Sequence, residues 1–191
     1  MKDIAIYGAG GMGREIALLI SQINDYNKQW NLIGYYDDAK TVGEIIDGLP
    51  VLGNTNQVNS IKNEIALAVA IANPQIRRLI VSKITNSGVI YPVITHPQSN
   101  LGNKNTFGRG SIITAGCILT TGIEVGEFVI LNLLTTVGHD VQIGNYSSVM
   151  PGCNISGHVK ISEGSLIGTG AKILQNLTIG RNCTIGAGAV V

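Results

Sequence analysis

The chain has 191 residues and a mass of 20.1 kDa, room for one large domain or two small ones. Its 13 basic and 12 acidic side chains divide evenly, eight and eight before Leu101, five and four from there on, so neither a nucleic-acid groove nor an anionic membrane is expected as partner. A hydrophobic content of 45% excludes disorder, no apolar run is long enough to span a bilayer, and Met1-Lys2-Asp3 leads straight into a strand-like segment without a signal peptide, so a cytoplasmic location is expected.

The first elements alternate strand and helix. Residues 4–7 form a short apolar strand, Gly8-Ala9-Gly10-Gly11-Met12-Gly13 a turn, and residues 14–20 a helix. A second strand over 32–36 ends in Asp37-Asp38, and a third covers 66–71. Asn73-Pro74 is an N-cap and first-turn pair for a helix to about residue 84, and residues 89–94 lead out of the region. Strand-helix-strand order predicts a parallel sheet, a small Rossmann-like α/β domain over 1–95.

Gly8, Gly10 and Gly13 fit GxGxxG after a strand and at the opening of a helix. Glycines let a phosphate approach the main chain, and the helix start offers free N–H groups and a positive dipole. The same glycines also suit a tight turn with close helix–strand packing. A nicotinamide-dependent oxidoreductase is a rival, since Asp37 lies 24 residues past Gly13. Yet residues 1–95 are too few for a dinucleotide fold and a substrate domain together.

From Leu101 to Val191 an apolar residue leads every sixth position, and the fifth position is mostly small, as at Ser111, Cys117, Thr135, Ser147, Cys153 and Ser165. Short strands broken by regular turns produce this period, which neither a helix nor a long strand does. Each hexad is one side of a triangular coil of eighteen residues, with the leading and fifth residues inward. Gly relieves crowding at the corners, where unusual backbone angles are needed. All three cysteines, Cys117, Cys153 and Cys183, fall at the fifth position and are expected as reduced core thiols.

Histidine is scarce: His96, His139 and His158. General acid–base work near neutral pH falls most often to His, and His139, at an outward third position and followed by Asp140, has the residue type and the placement. His96 precedes Pro97 at the junction and reads as structural. His139 and His158 are nineteen apart with no HxxxxH pair, so no metal site is expected.

The sixfold period resembles the hexapeptide-repeat family, and with it comes the expectation of a left-handed parallel β-helix over residues 96–191. General crossover rules alone would favour the right hand. The whole chain is similar to the NeuD/PglD family of sugar acyltransferases, through the stretch Tyr7 to Gly13, Gly34-Tyr35-Tyr36-Asp37-Asp38, Gly48-Leu49-Pro50-Val51-Leu52-Gly53, and Thr95-His96-Pro97. The resemblance implies an acetyl-CoA-dependent N-acetyltransferase acting on a nucleotide-linked amino sugar and working as a homotrimer.

By the same resemblance His139 is the general base and Asp140 orients it. The family more often has Glu there, and Asp is one methylene shorter. Gly157, one coil above His139, offers an N–H to the thioester oxygen, and Asn132 assists. From sequence alone Gly157 is equally a turn glycine and Asn132 a corner asparagine. Ser148 stands where PglD-type members can carry a second His and is assigned to the substrate. Gly8, Gly10, Gly11 and Gly13 take the diphosphate, and Asp37 and Asp38 the nucleoside. Gly157, His158, Gly170 and Ile173 line the CoA groove. O-acetylation of a sugar such as sialic acid and a non-catalytic nucleotide-binding β-helix are the competing readings.

Overall fold

A computed structural model describes residues 1–191. The chain divides into two compact units, one of residues 1–72 and 76–92, the other of residues 73–75 and 93–191. Ile94–Thr95 pairs with Ile112–Ile113 of the repeat, so the second unit takes over before the boundary expected after residue 95.

The first unit contains β1 (Lys2–Tyr7), α1 (Gly11–Tyr26), β2 (Trp30–Tyr36), β3 (Ile45–Ile46), β4 (Leu49–Gly53), α2 (Thr55–Asn59), β5 (Ile65–Val69), α3 (Pro74–Lys83) from Ile76 on, and β6 (Val89–Ile90). The sheet order is β3-β4-β2-β1-β5-β6, parallel except where β3 meets β4. β5 is buried along its whole length, as a central strand covered on both faces must be, which accounts for its unbroken apolar run. α1 buries Ile16, Leu19, Ile20 and Ile23, one helical stripe. It begins earlier than expected because the glycine turn itself supplies the first helical turn, with Arg14 N–H donating to Gly10 O at 3.1 Å.

Two elements carry little sequence signal. β4 contains Pro50, which demotes a strand by propensity; here it lies beside the short antiparallel β3. α2 is five residues long and is held by a capping box: Asn54 accepts from Asn56 N–H, and Gln57 accepts from Asn54 N–H. β2 and β5 flank β1 on opposite sides, so the strand order reverses at β1. The turn Gly8–Gly13 leaves from the carboxyl end of that strand, where open α/β sheets bind ligands.

The second unit is a left-handed parallel β-helix of two-residue strands. Each strand pairs with the one eighteen residues on, as in Ile118↔Thr136, Thr136↔Asn154 and Asn154↔Lys172. Three sheets result. The first face holds Ile118–Leu119, Thr136–Val137, Asn154–Ile155 and Lys172–Ile173. The second runs from Thr106–Phe107 through Gln142–Ile143 to Thr178–Ile179, and the third from Ile94–Thr95 through Ser148–Val149 to Thr184–Ile185. The leading aliphatics form one continuous core, with Ile113, Leu131, Val149 and Ile167 fully buried.

The fifth position does more than fill space. Ser111 and Ser165 hydroxyls donate to the carbonyls of Gly126 and Gly180 at 2.7 Å, and the Cys117 and Cys153 thiols to those of Asn132 and Gly168 at 3.3 and 3.1 Å. Each acceptor lies fifteen residues ahead. Cys117 and Cys153 are buried and Cys183 is partly so. Burial pushes the Cys117 and Cys153 thiols up from their ordinary pKa.

The corner chemistry differs from expectation in one respect. The left-handed backbone falls at the fourth hexad position, and non-glycine residues occupy many of these sites, including Phe128, Leu134, Asp140 and His158. The glycine after the leading residue serves a different need: a β-carbon on Gly138 would stand 2.7 Å from Gly157 N in the next coil. Close stacking of coils, not backbone angle, selects glycine there. No helix of the chain is long and apolar enough to cross a membrane.

Candidate active site

Val137 and Val141 point into the β-helix and leave Gly138, His139 and Asp140 to round the corner between the first and second faces. Asp140 turns that corner in the left-handed region (φ 59°), a conformation Asp tolerates, and its N–H is fixed to Thr121 O at 3.0 Å. A β-carbon on Gly122, one coil below, would lie 2.7 Å from Asp140 Oδ1, so that glycine makes room for the carboxylate.

Asp140 Oδ2 is 2.9 Å from His139 Nδ1. A carboxylate only accepts, so Nδ1 carries a hydrogen, and in the neutral ring Nε2 keeps the lone pair. The shorter Asp reaches the ring directly because both side chains leave the same tight corner. Both stay about half exposed. Above them lies Gly157: a β-carbon there would stand 2.6 Å from His139 Nε2. The Gly157 N–H donates to no group of the chain, although its neighbours Ser156 and His158 donate to Ile173 O and His139 O. A free donor thus sits beside the basic nitrogen, an arrangement suited to removing a proton and to steadying a developing oxyanion.

His158 joins this group. Nineteen residues are one coil and one step, so the spacing that separates His139 and His158 along the chain brings them together in space. Their rings meet edge to face, centroids 4.8 Å apart, and His158 Nε2 is 3.7 Å from Asp140 Oδ2. One nitrogen of each ring and one Asp140 oxygen all lie within 4.8 Å of one another. The signal was in the period: Asp140 and His158 are equivalent positions of successive coils.

The other expected site residues of this unit lie elsewhere. Asn132 is buried at the corner between the third and first faces, where its Oδ1 accepts Leu133 N–H at 2.7 Å; it secures that turn and does not approach His139 within the chain. Gly170 occupies the same corner, with its N–H on Pro151 O. Ile173 is fully buried, so its side chain packs the core and cannot line a cofactor groove; its place at the head of a hexad already required this. Ser148 is also fully buried, in a strand of the third face, and its side chain is not open to a bound sugar. His96 is buried, with its Nδ1 accepting Gln98 N–H, a structural role.

In the first unit the glycine turn divides its labour. Gly8 has φ 102°, and Gly13 lets α1 pack on the turn, since a β-carbon there would meet Gly8 O at 1.9 Å. Gly10 and Gly11 face open space. They border a cavity of about 490 Å³ with Ala9, Arg14, Lys40 and Asp47. Arg14 pairs with Asp47 at 2.6 Å and Lys40 with Glu44 at 2.8 Å, both on the surface. These two cations beside the turn were not singled out from sequence.

The two acidic residues serve the scaffold. Asp37 accepts from Ala9 N–H and Ala39 N–H at 2.8 Å each, bracing the glycine turn. Asp38 Oδ1 accepts from Tyr7 OH, Thr55 N–H and Thr55 OH at 2.7–2.9 Å. Burial alone would raise the Asp38 pKa, but these donors and Lys83 hold it below the usual value. Burial, with Asp38 nearby, pushes the Tyr7 phenol well up. A second cavity of about 430 Å³ opens at Asp38, Asn54, Asn56, Asn59 and Lys83.

Residues 3–84 match the family model of the PglD N-terminal domain, and residues 158–191 that of the bacterial transferase hexapeptide (six repeats). The chain is 34% identical over 189 residues to GDP-perosamine N-acetyltransferase of Escherichia coli O157:H7, a match covering 98% of this chain and 85% of that one. The acetyltransferase domain of PglB from Neisseria gonorrhoeae FA1090, solved in complex with acetyl coenzyme A, superposes with a TM-score of 0.88 at 34% identity, covering 100% of this chain and 90% of that one. WeeI from Acinetobacter baumannii AYE gives a TM-score of 0.89 at 31% identity, covering 100% and 92%. With likeness of this degree running through both units, the chain belongs to the PglD-type sugar acetyltransferases of the hexapeptide-repeat class.

Proposed function

We propose that this chain transfers the acetyl group of acetyl-CoA to the amine of a nucleotide-linked amino sugar, directly and without an acyl-enzyme. His139 Nε2 takes a proton from the amine as the nitrogen attacks the thioester carbonyl. Asp140 holds the ring and offsets the positive charge it gains. The Gly157 N–H donates to the carbonyl oxygen as negative charge develops there. The tetrahedral intermediate collapses, the C–S bond breaks, and the CoA thiolate leaves to be protonated. The transfer calls on no metal.

The observation that carries this reading is the pairing of His139 Nδ1 with Asp140 at 2.9 Å, which turns Nε2, the proton acceptor of the neutral ring, toward a free N–H. The E. coli relative named for N-acetylation of GDP-perosamine favours an amine over a hydroxyl acceptor. The turn at Gly10 and Gly11, with Arg14 and Lys40, suits the diphosphate of the nucleotide. A homotrimer fits the exposed apolar side chains on and around the first face: Ile118, Leu133, Leu134 and Leu174 are 40–67% exposed. A cytoplasmic location fits three free thiols.

The test is acetyl transfer from acetyl-CoA to a panel of nucleotide amino sugars, read by product mass, with His139→Ala in parallel. Turnover of an amine that falls about 10²–10⁴-fold in the variant is expected. Product on sugar hydroxyls alone would make the enzyme an O-acetyltransferase, and nucleotide binding without any turnover would leave a binding module.

A further inference from the structure

We propose that the corner formed by His139, Asp140 and His158 also binds a divalent transition-metal ion, Zn²⁺ being the best suited, and that the bound ion switches acetyl transfer off.

Two imidazole nitrogens and a carboxylate oxygen make a ligand set of the kind zinc takes, with one position left for water. Mg²⁺ and Ca²⁺ prefer oxygen-only sites and are disfavoured here. Asp140 Oδ2 stands 2.9 Å from His139 Nδ1 and 3.7 Å from His158 Nε2. Atoms bound to one tetrahedral zinc lie about 3.3 Å apart, given bonds of about 2.0–2.1 Å. The two spacings to Asp140 straddle that value, the two ring nitrogens lie within 4.8 Å of each other, and the half-exposed side chains have room to adjust.

The main chain that carries the three residues is already fixed. His158 N–H donates to His139 O at 2.9 Å, and Asp140 N–H to Thr121 O at 3.0 Å. Asp140 and His158 share nearly the same left-handed backbone, φ 59° and 58°, one directly above the other in the stack. Little ordering of the backbone is therefore needed when an ion binds.

The consequence for catalysis follows from the tautomer. An ion bound at Nδ1 displaces the hydrogen that Nδ1 gives to Asp140. The neutral ring that remains carries its hydrogen on Nε2, the atom that must accept the proton of the amine. Asp140 is also withdrawn from its role as partner of the ring. The ion and the catalytic base thus compete for one side chain.

Titration of the full chain with Co²⁺, in the absence of acetyl-CoA and sugar, tests the site through the visible absorption of tetrahedral cobalt. One ion per chain is expected, displaced by Zn²⁺, with binding at least tenfold weaker in His158→Gln and in Asp140→Asn. Zn²⁺ should inhibit acetyl transfer, and EDTA should restore it. Absence of the cobalt band, or binding unchanged in His158→Gln, would overturn the site. Binding without inhibition would overturn its effect on catalysis. Cobalt binding is read without substrates, so its failure is distinct from failure of the acetyl-transfer assignment.

Discussion

Gly157 and His139 occupy one slot: the ring lies so close beneath the glycine that a β-carbon on Gly157 would be 2.6 Å from Nε2. The two are eighteen residues apart and touch only because one coil has that length. The residue above the base is therefore constrained by the base.

Replacing Gly157 with Ala should displace the ring and not the fold, since its backbone is not left-handed. Acetyl transfer should fall about 10²-fold, the usual cost of a misplacement near 1 Å. Gly186→Ala, with nothing within 4 Å of the added carbon, is the matched control and should leave activity unchanged. Equal activity in the two variants would remove the steric role of Gly157.

Arg14 and Lys40 should contribute to binding of the nucleotide sugar and not to chemistry. Their carboxylate partners hold them on the surface beside the glycine turn, and exchange of such an exposed partner for a phosphate is easy. Arg14→Ala should raise KM for the nucleotide sugar and leave kcat and the KM for acetyl-CoA near their original values. A fall in kcat alone would contradict this.

The buried cysteines should be inert. Cys153 gives its S–H to Gly168 O, and burial raises its pKa, so little thiolate forms at neutral pH. Alkylation of the folded chain should modify Cys183 first, while Cys117 and Cys153 react only on unfolding, as peptide mass mapping would report. Cys153→Ala should still transfer acetyl groups, in keeping with direct transfer.

His96 predicts an acid-sensitive fold. Burial lowers its pKa in the native chain below the unfolded 6.5, so the unfolded state binds the proton more readily. Its contribution is at full strength above pH 6.5 and declines as the pH falls below that value toward the folded pKa. His96→Gln should flatten the dependence of Tm on pH over that window, and an unchanged profile would exclude His96 as its source.

The β-helix was legible because its periodicity is redundant. Fifteen leading aliphatics and Phe107 carry one message, and an error at any of them would not hide it. The α/β unit was legible where apolar runs were long, as in β1 and β5, and obscure at β4 and α2. Those two are short, and Pro50 and a five-residue helix depend on neighbours that no local pattern reveals. His139 and Asp140 were legible as adjacent polar residues at an outward position. His158 was less so, because its partner is defined by the coil length and not by local spacing. Ser148 went astray because a strand position gives the residue type but not what covers it, and Ile173 because its place at the head of a hexad, which points inward, was passed over. The acidic pair after β2 was visible, but not that Asp37 braces the glycine turn through Ala9 N–H or that Asp38 is saturated by Tyr7 and Thr55.

The eighteen-residue coil also sets the unit in which this half of the protein can change length. An added hexad keeps every aliphatic inward and every fifth-position donor facing the core, so the interior would accept it. It would nonetheless rotate all that follows by one third of a turn. Placed between His139 and His158, it would carry the second histidine to another corner and put a different residue above the base. Only insertions of a whole coil return each outward residue to its face, and one placed between these two histidines would still set a new layer above His139. Tolerance of the core and tolerance of the site thus follow different rules, and a family built on this scaffold can lengthen freely only beyond the layers that hold Asp140 and Gly157.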